Sequence, residues 1–401
     1  MDFNFSNESL ELQNKLQTFF DKHIYPNEEA YEKAIYDSGD PLHIPELLND
    51  LKEKARKEKL WNLFLPDKQY GYGLSNVDYA PLAEITGHNW WAPEVFNCSA
   101  PDTGNMEILA EFGTEDQKDQ WLKPLLDGEI RSCFAMTEPN VASSDATNIS
   151  SSIVSDGDNY VINGRKWWTS NAINPNAKIC IFMGVTNPDN PPHQRQSQVL
   201  IPMDSDGLSI VRPMQVFGYD DGYTGHPELL FENVVVPKSN IIGGEGMGFK
   251  IAQARLGPGR IHHCMRAIGM AERALSMMIN RSLERETFGQ KLAEQGVIQD
   301  WIARSRIKIE EARLLTLKTA WLIDTVGKEE AKIEISSIKV SVVEAASYVI
   351  DKAIQTHGAM GLSQDTPLAR MSAGARVLRI ADGPDEVHLR SIARREINKH
   401  R

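Results

Sequence analysis

Leu12, Leu16, Phe19, Phe20 and Ile24 recur at the three- and four-residue spacing of one helix face, and Pro26 then stops the pattern. The same period predicts helices over 44–59 and 106–112 and, past the Gly113-Thr114 break, over 115–126. Between about 131 and 242 the texture changes to short strands. Segments 151–154 and 160–162 flank Asp156-Gly157-Asp158, a strong hairpin turn, and further strands are predicted at 178–185, 198–202, 208–212 and 229–236. The stretch 187–197, with three prolines, reads as an exposed loop. After Gly243, Gly244, Gly246 and Gly248 the helical period returns: Ile302, Ile309, Ala312, Ala320 and Ile323 mark one face of a long helix, and 331–355 contains no helix breaker. Such helices side by side form a bundle. The predicted fold class is α+β, with an N-terminal helical domain (1–130), a middle β-barrel or sandwich domain (131–242) and a C-terminal four-helix bundle (243–401).

Composition narrows the picture. The 401 residues carry 43 Lys and Arg against 55 Asp and Glu, a formal net charge of -12, which argues against a dedicated nucleic-acid binder because phosphate affinity comes mainly from Lys and Arg. The cysteines, Cys98, Cys133, Cys180 and Cys264, lie far apart with no C-x-x-C, so a reducing compartment is expected. Residues 1–8 lack a basic start and an apolar core, no segment approaches the length of a membrane span, and the Asn398-Lys399-His400-Arg401 end is not a peroxisomal signal. These features predict a soluble intracellular protein without a clear targeting signal: cytoplasmic in a bacterium, with a mitochondrial or peroxisomal matrix open in a eukaryote.

Familiar motifs fail on inspection. The 243–248 glycines lack the G-x-x-x-x-G-K-[ST] of a P-loop and a surrounding βαβ unit, so they read as a β-to-helix connection. His262-His263 point about 100° apart on a helix and have no H-E-x-x-H, so no metal site is expected. Ser336-x-x-Lys339 has no partner motif.

Chemistry gathers in four separated segments. They are Phe134-Ala135-Met136-Thr137-Glu138-Pro139 with Ser143-Ser144-Asp145; Asn163-Gly164-Arg165-Lys166-Trp167-Trp168-Thr169-Ser170-Asn171; Arg285-Glu286-Thr287-Phe288-Gly289; and Gln355-Thr356-His357-Gly358-Ala359-Met360-Gly361 with Asp382-Gly383-Pro384-Asp385-Glu386. A flat isoalloxazine needs an aromatic wall and a few donors at its polar edge, and two strand ends bearing Met136 and Thr137, and Trp168 and Ser170, can supply them. On these residues the chain resembles the acyl-CoA dehydrogenase family over essentially its whole length, and most nearly the dehydrogenase portion of family members ten and eleven.

The resemblance implies an FAD-dependent oxidoreductase that converts an acyl-CoA to a trans-2-enoyl-CoA, a homotetramer or homodimer, with electron-transfer flavoprotein as acceptor. By the same resemblance Phe134, Met136, Thr137, Ser143, Ser144, Trp168 and Ser170 line the flavin, with Trp168 against the ring and Ser170 towards N5. Arg285, Thr287 and Phe288 resemble the pyrophosphate and adenine clamp, and Gln355, Thr356, His357, Gly358 and Ala359 the segment that reaches the cofactor of a neighbouring subunit. Ser144, Arg260 and Gly383 fall where relatives meet the acyl-CoA. Asp382 matches the catalytic base, usually Glu, with Glu386 as the nearby alternative. Asp is one methylene shorter, about 1.5 Å of reach, and misplacement of ~1 Å can cost on the order of a hundredfold in rate, so the site has to compensate. Asn140-Val141-Ala142-Ser143 also replaces the usual Gly-Ala-Gly and is one residue longer, while Pro384 and Glu386, expected at the cofactor, replace Thr and Gln, and Ala373-Gly374 replaces Arg-Asp. An Asp base also fits a nitroalkane-oxidase-like flavoenzyme, and a flavin-containing binding protein without turnover is the third reading.

Overall fold

Two helices near the N-terminus begin where a side chain satisfies the first orphan N–H groups. In the computed structural model, which describes residues 4–401, Ser6 Oγ accepts from Ser9 N at 3.1 Å to start the helix Asn7–Phe19, and Ser75 Oγ accepts from Asp78 N at 3.1 Å to start Asn76–Thr86. Ser9 Oγ in turn donates to the Asp78 carbonyl at 2.8 Å, so the two caps are tied together.

The described chain forms two compact units, residues 1–26, 72–94 and 259–401 in one, and 27–71 and 95–258 in the other. In the first, the helix Lys332–His357 packs against Gly296–Val326, Leu368–Leu378 and Asp385–Asn398. The long helix Gly248–Glu284 runs across the division between the units. Its first-unit part meets Asn76–Thr86 so closely that a Cβ on Gly269 would lie 1.8 Å from the Glu84 carbonyl oxygen, and one on Gly87 2.1 Å from that of Arg266. Arg313 bonds Glu84 at 2.6 Å and Glu272 at 2.5 Å across the same crossing.

The second unit is built on one seven-stranded sheet: β1 Arg131–Ala135, β2 Ser152–Asp156, β3 Asn159–Lys166, β4 Ala177–Val185, β5 Gln196–Pro202, β6 Leu208–Met214 and β7 His226–Pro237. The order is β1-β4-β2-β3-β7-β6, with β5 pairing β4. Alternation places Ile153, Ile162, Phe182, Val199, Ile201, Leu229, Phe231 and Val234 in one core beneath the sheet. The helix Glu28–Ser38 joins it through a buried 2.7 Å contact between the Tyr31 and Tyr223 hydroxyls.

The helical, β and helical order along the chain is as expected, and the β part takes the form of a half-barrel, a single curled sheet. The strands predicted from alternation all fall on β2 to β7. Of β1 only the strand end at Met136 and Thr137 was anticipated, and the helices Glu28–Ser38 and Asn76–Thr86 were not foreseen.

The helix crossing yields a prediction. Gly269→Ala should destabilise the protein by at least about 2 kcal/mol, because the clash is with backbone, whereas Gly296→Ala, with open space around it, should stay within ~0.5 kcal/mol in denaturant titrations. Equal midpoints for the two variants would contradict the crossing.

Candidate active site

In the sheet unit the ends of β1 and β3 come together although the strands are not neighbours in the sheet. Trp167 N donates to the Thr137 carbonyl at 3.0 Å, and Lys166 Nζ donates to the Met136 carbonyl at 3.0 Å. Past β3 the backbone turns through left-handed residues, Trp168 at φ +52° and Asn171 at +70°, and leaves the Trp168 indole 39% exposed. A bulky residue holds such a conformation only when its surroundings impose it. Here Thr169 N bonds the Pro227 carbonyl at 3.1 Å and Asn171 N that of Gly225 at 2.9 Å.

Ser170 sits 2.8 Å from Nδ1 of His226, whose Nε2 is 3.0 Å from Asp221 Oδ2. An ionised carboxylate can only accept, which assigns the Nε2 proton to the Asp221 side and, in the neutral ring, leaves Nδ1 to accept from the Ser170 hydroxyl. An exposed indole can cover one face of a flat heteroaromatic ring, and the Ser170 oxygen, its proton directed to His226, offers acceptor lone pairs at the ring's polar edge.

Behind the strand ends lies a buried ion pair. Lys166, fully buried, bonds Glu138 Oε1 at 2.8 Å and the Met183 carbonyl at 2.7 Å, while Glu138 also accepts from Ser150 N at 2.9 Å, Ser150 Oγ at 2.7 Å and Ser151 N at 3.0 Å. Burial alone would raise the Glu138 carboxyl, but the Lys166 ammonium and the Ser150 donors outweigh it and hold it at about 2. Burial lowers Lys166 to about 8 despite the same partner.

The helical unit holds a second cluster. Asp382, at φ +56°, and Gly383, at φ +103°, form the left-handed link between Leu368–Leu378 and Asp385–Asn398. A Cβ on Gly383 would lie 3.0 Å from His388 Nε2, so position 383 suits glycine both in φ and in space. Arg260 Nε donates to the Asp382 carbonyl at 2.9 Å, and His263 Nε2 lies 3.3 Å from Asp382 Oδ2. His263 Nδ1 faces Arg266 Nη2 at 3.2 Å. The Gly257-Pro258-Gly259-Arg260 segment, expected at a helix start, lies inside Gly248–Glu284, and position 259 faces the turn, where a Cβ would sit at an ordinary contact distance of 3.5 Å from Asp382 Oδ2.

Positive charge surrounds this carboxylate. Lys339, fully buried, donates to the Leu378 carbonyl, and burial lowers its ammonium even though Cys264, Asp382 and Asp385 oppose the shift. Burial, then Arg260 and Lys339, push His388 down to about 4. Burial likewise lowers Arg260 and His263, against the pull of Asp382, and lifts the Cys264 thiol to about 12. Arg379 bonds Asp385 Oδ2 at 2.6 Å, while buried Asp385 Oδ1 and His388 Nε2 have no partner among the described residues.

Models of the N-terminal, middle and C-terminal domains of acyl-CoA dehydrogenases match residues 6–129, 133–234 and 246–397. FadE2 of Mycobacterium tuberculosis is 55% identical over 403 residues, covering 100% of this chain and 98% of that protein. The chain belongs to the acyl-CoA dehydrogenase family. Acyl-CoA dehydrogenase family member 10 of Mus musculus is 55% identical over 391 residues, 96% of this chain, and the alignment spans 36% of that longer protein. A Mycobacterium abscessus structure assigned to the acyl-CoA dehydrogenases is similar at TM-score 0.96 and 48% identity, over 99% of this chain and 100% of that one.

The remaining residues that this acyl-CoA dehydrogenase family member was expected to use are spread along both units. Phe134, on β1, packs under the Arg255 guanidinium at 4.2 Å from its ring centre. Ser143 Oγ accepts from Glu138 N at 2.9 Å, and Ser144 is exposed. In the helical unit, Arg285 and Phe288 are exposed and Thr287 half-buried on the hairpin Glu286–Thr287 and Gln290–Lys291; Phe288, at φ +49°, is 98% exposed. Gln355, Gly358 and Ala359 are exposed at the end of Lys332–His357, whereas Thr356 and His357 bond back to the carbonyls of Lys352 and Ala353, both at 2.8 Å. Pro384 precedes the helix Asp385–Asn398, and Glu386 is exposed in its first turn. Of all the expected residues in this unit, Arg260, Asp382 and Gly383 share one cluster. His226, Asp221, His263 and Arg266 were not foreseen; the signal for the last two was the His262-His263 pair, which looked only like a weak metal motif.

The buried pair makes a measurable claim. Lys166→Met should cost about 3 kcal/mol by leaving Glu138 buried without its cation, and Glu138→Gln in that background should recover part of the loss. Because Glu138 is held below its ordinary 4.5, its contribution is full above about 4.5 and is lost as pH falls towards 2. Urea titrations across that range check both, and a flat difference between wild type and Glu138→Gln from pH 6 to 3 would overturn the assignment.

Proposed function

We propose that this chain is an FAD-dependent acyl-CoA dehydrogenase, in which Asp382 removes the α-proton of an acyl-CoA thioester as the β-hydrogen leaves as hydride, giving the trans-2-enoyl-CoA. The observation that carries the reading is the Asp382 carboxylate, fixed on a left-handed turn beside Arg260 and His263. FAD, when bound, supplies the hydride acceptor.

The chain's own residues have three tasks. Trp168 and Ser170, with Met136 and Thr137 beside them and Phe134, Ser143 and Ser144 along the same segments, hold and orient the ring. Arg285, Thr287 and Phe288, with Gln355 to Ala359 of a neighbouring subunit and Pro384 and Glu386, hold the rest of the cofactor in a homodimer or homotetramer. Arg260, Ser144 and Gly383 receive the thioester, where a half-buried guanidinium suits a phosphate-rich anion. Asp382 acts as general base, and electron-transfer flavoprotein is the expected acceptor. The 1–130, 131–242 and 243–401 segments serve as the three domains of one subunit. Family membership and the flavoprotein relatives support this reading.

Anaerobic addition of a thioester panel should bleach the flavin absorbance of the holoprotein. Asp382→Asn should keep the flavin and slow bleaching by about 10³-fold, within the range of general-base losses. Wild-type rates in that variant would remove Asp382 from the reaction. Bleaching by nitroethane and by no thioester would move the assignment to a nitroalkane oxidase type.

A further inference from the structure

We propose that His263 is the positioning residue for the Asp382 carboxylate: fixed by Arg266 in one neutral tautomer, it donates its Nε2 proton to Oδ2 and so aims a side chain that is one methylene shorter than the family's usual Glu. The inference rests on the reading of Asp382 as the base.

The hydrogen-bond logic assigns the tautomer. A guanidinium has donors and no acceptor, so His263 Nδ1, 3.2 Å from Arg266 Nη2, carries no proton there. The ring proton therefore sits on Nε2, 3.3 Å from Asp382 Oδ2, and the contact is a donor meeting a carboxylate. A second ring proton would have to displace the Arg266 bond and join a partly buried, cation-rich neighbourhood; burial, with smaller help from Arg266 and Lys339, lowers the ring's affinity for it against the pull of Asp382. His263 thus donates without becoming an acid itself.

The helix geometry separates this role from packing. His262, one residue earlier and about 100° round the helix, is buried against Tyr79 with ring centres 4.9 Å apart, so the packing task belongs to it. His263 points to the turn. There Arg260 holds the Asp382 backbone carbonyl and His263 its side chain, two anchors on one helix for one residue. Arg266, which completes the chain, sits where its own carbonyl meets Gly87 at the close helix crossing. The groups that set the charge balance around Asp382 are Arg260, His263, Cys264 and Arg266 from this helix, Lys339 from Lys332–His357, and Asp385 and His388 from Asp385–Asn398.

Two measurements on the holoprotein test the proposal. In the first, the pH dependence of anaerobic flavin reduction by the best thioester of the panel is compared among wild type, His263→Leu and His263→Gln. Removing the donor should shift the limb of the base to higher pH by about one unit, and Gln, which keeps an N–H near the Nε2 position, should restore at least half of the shift. An unshifted limb in His263→Leu, or equal shifts in Leu and Gln variants of wild-type thermal stability, would overturn it. In the second, ring ¹⁵N spectra of histidine-labelled wild type should show His263 bare at Nδ1 and protonated at Nε2 at pH 7; the opposite tautomer or a doubly protonated ring would overturn it. Absence of bleaching with every thioester in wild type would instead defeat the reading of Asp382 as base, and the spectra would still decide the tautomer.

Discussion

A carboxylate on a left-handed link between two helices has little freedom to aim itself, and everything in the helical unit follows from holding Asp382 there. Its φ of +56° is unfavourable for a residue with a Cβ, and the next residue needs glycine at φ +103°. The turn persists because Arg260, on the long helix, bonds its carbonyl. That helix is in turn seated on Asn76–Thr86 by the contacts of Gly87 and Gly269, where no side chain would fit. The chain of dependence runs from glycines at a helix crossing to the backbone of one left-handed turn.

Both units use the same device to fix a histidine, with opposite partners. Asp221 demands a proton on Nε2 of His226, and Arg266 forbids one on Nδ1 of His263. Each ring then has one defined face left, towards the Ser170 hydroxyl in the sheet unit and towards Asp382 in the helical unit. The buried Glu138–Lys166 pair does comparable work for backbone: Lys166 collects the Met136 and Met183 carbonyls, and so fixes the strand end that precedes Thr137.

The sheet was readable from its short apolar runs between turns, although its strands differ: β2 and β3 alternate over the core, β4 and β5 are buried on both faces, and β6 is largely exposed. Of β1 only the end before Met136 and Thr137 was legible, because its first residues, Arg131 and Ser132, are polar yet buried, satisfied by Asp102 and Asn97, partners that no local pattern announces. The helix Asn76–Thr86 was hidden by the opposite fault: Tyr79, Ala80, Leu82, Ala83 and Thr86 bury several faces, and Pro81 lies within it, so no single stripe stands out. Glu28–Ser38 buries Tyr31 alone and gives almost no apolar signal. In the helical unit, the motif resemblance picked out Arg260 and Asp382, which the fold brings together. His226 and Asp221 were not legible, because they are joined across a glycine-rich turn, and a histidine's role is decided by what its two nitrogens face.

The choice of a neutral donor at position 263 has a physical logic. A base has to be ionised to act, yet every stabilisation of its anion weakens its pull on a proton. Arg260 and Lys339 already supply positive charge in a poorly solvated place, as the downward pressure on Lys339 and His388 shows. A further cation touching Oδ2 would orient the carboxylate at a large cost in basicity, whereas a neutral imidazole gives nearly the same orientation at a smaller one. The formal charge of -12 says nothing of this balance, because it is struck among buried groups on three helices. On the role proposed for Asp382, what would let a short Asp serve as base is thus a directed hydrogen bond more than a strong field.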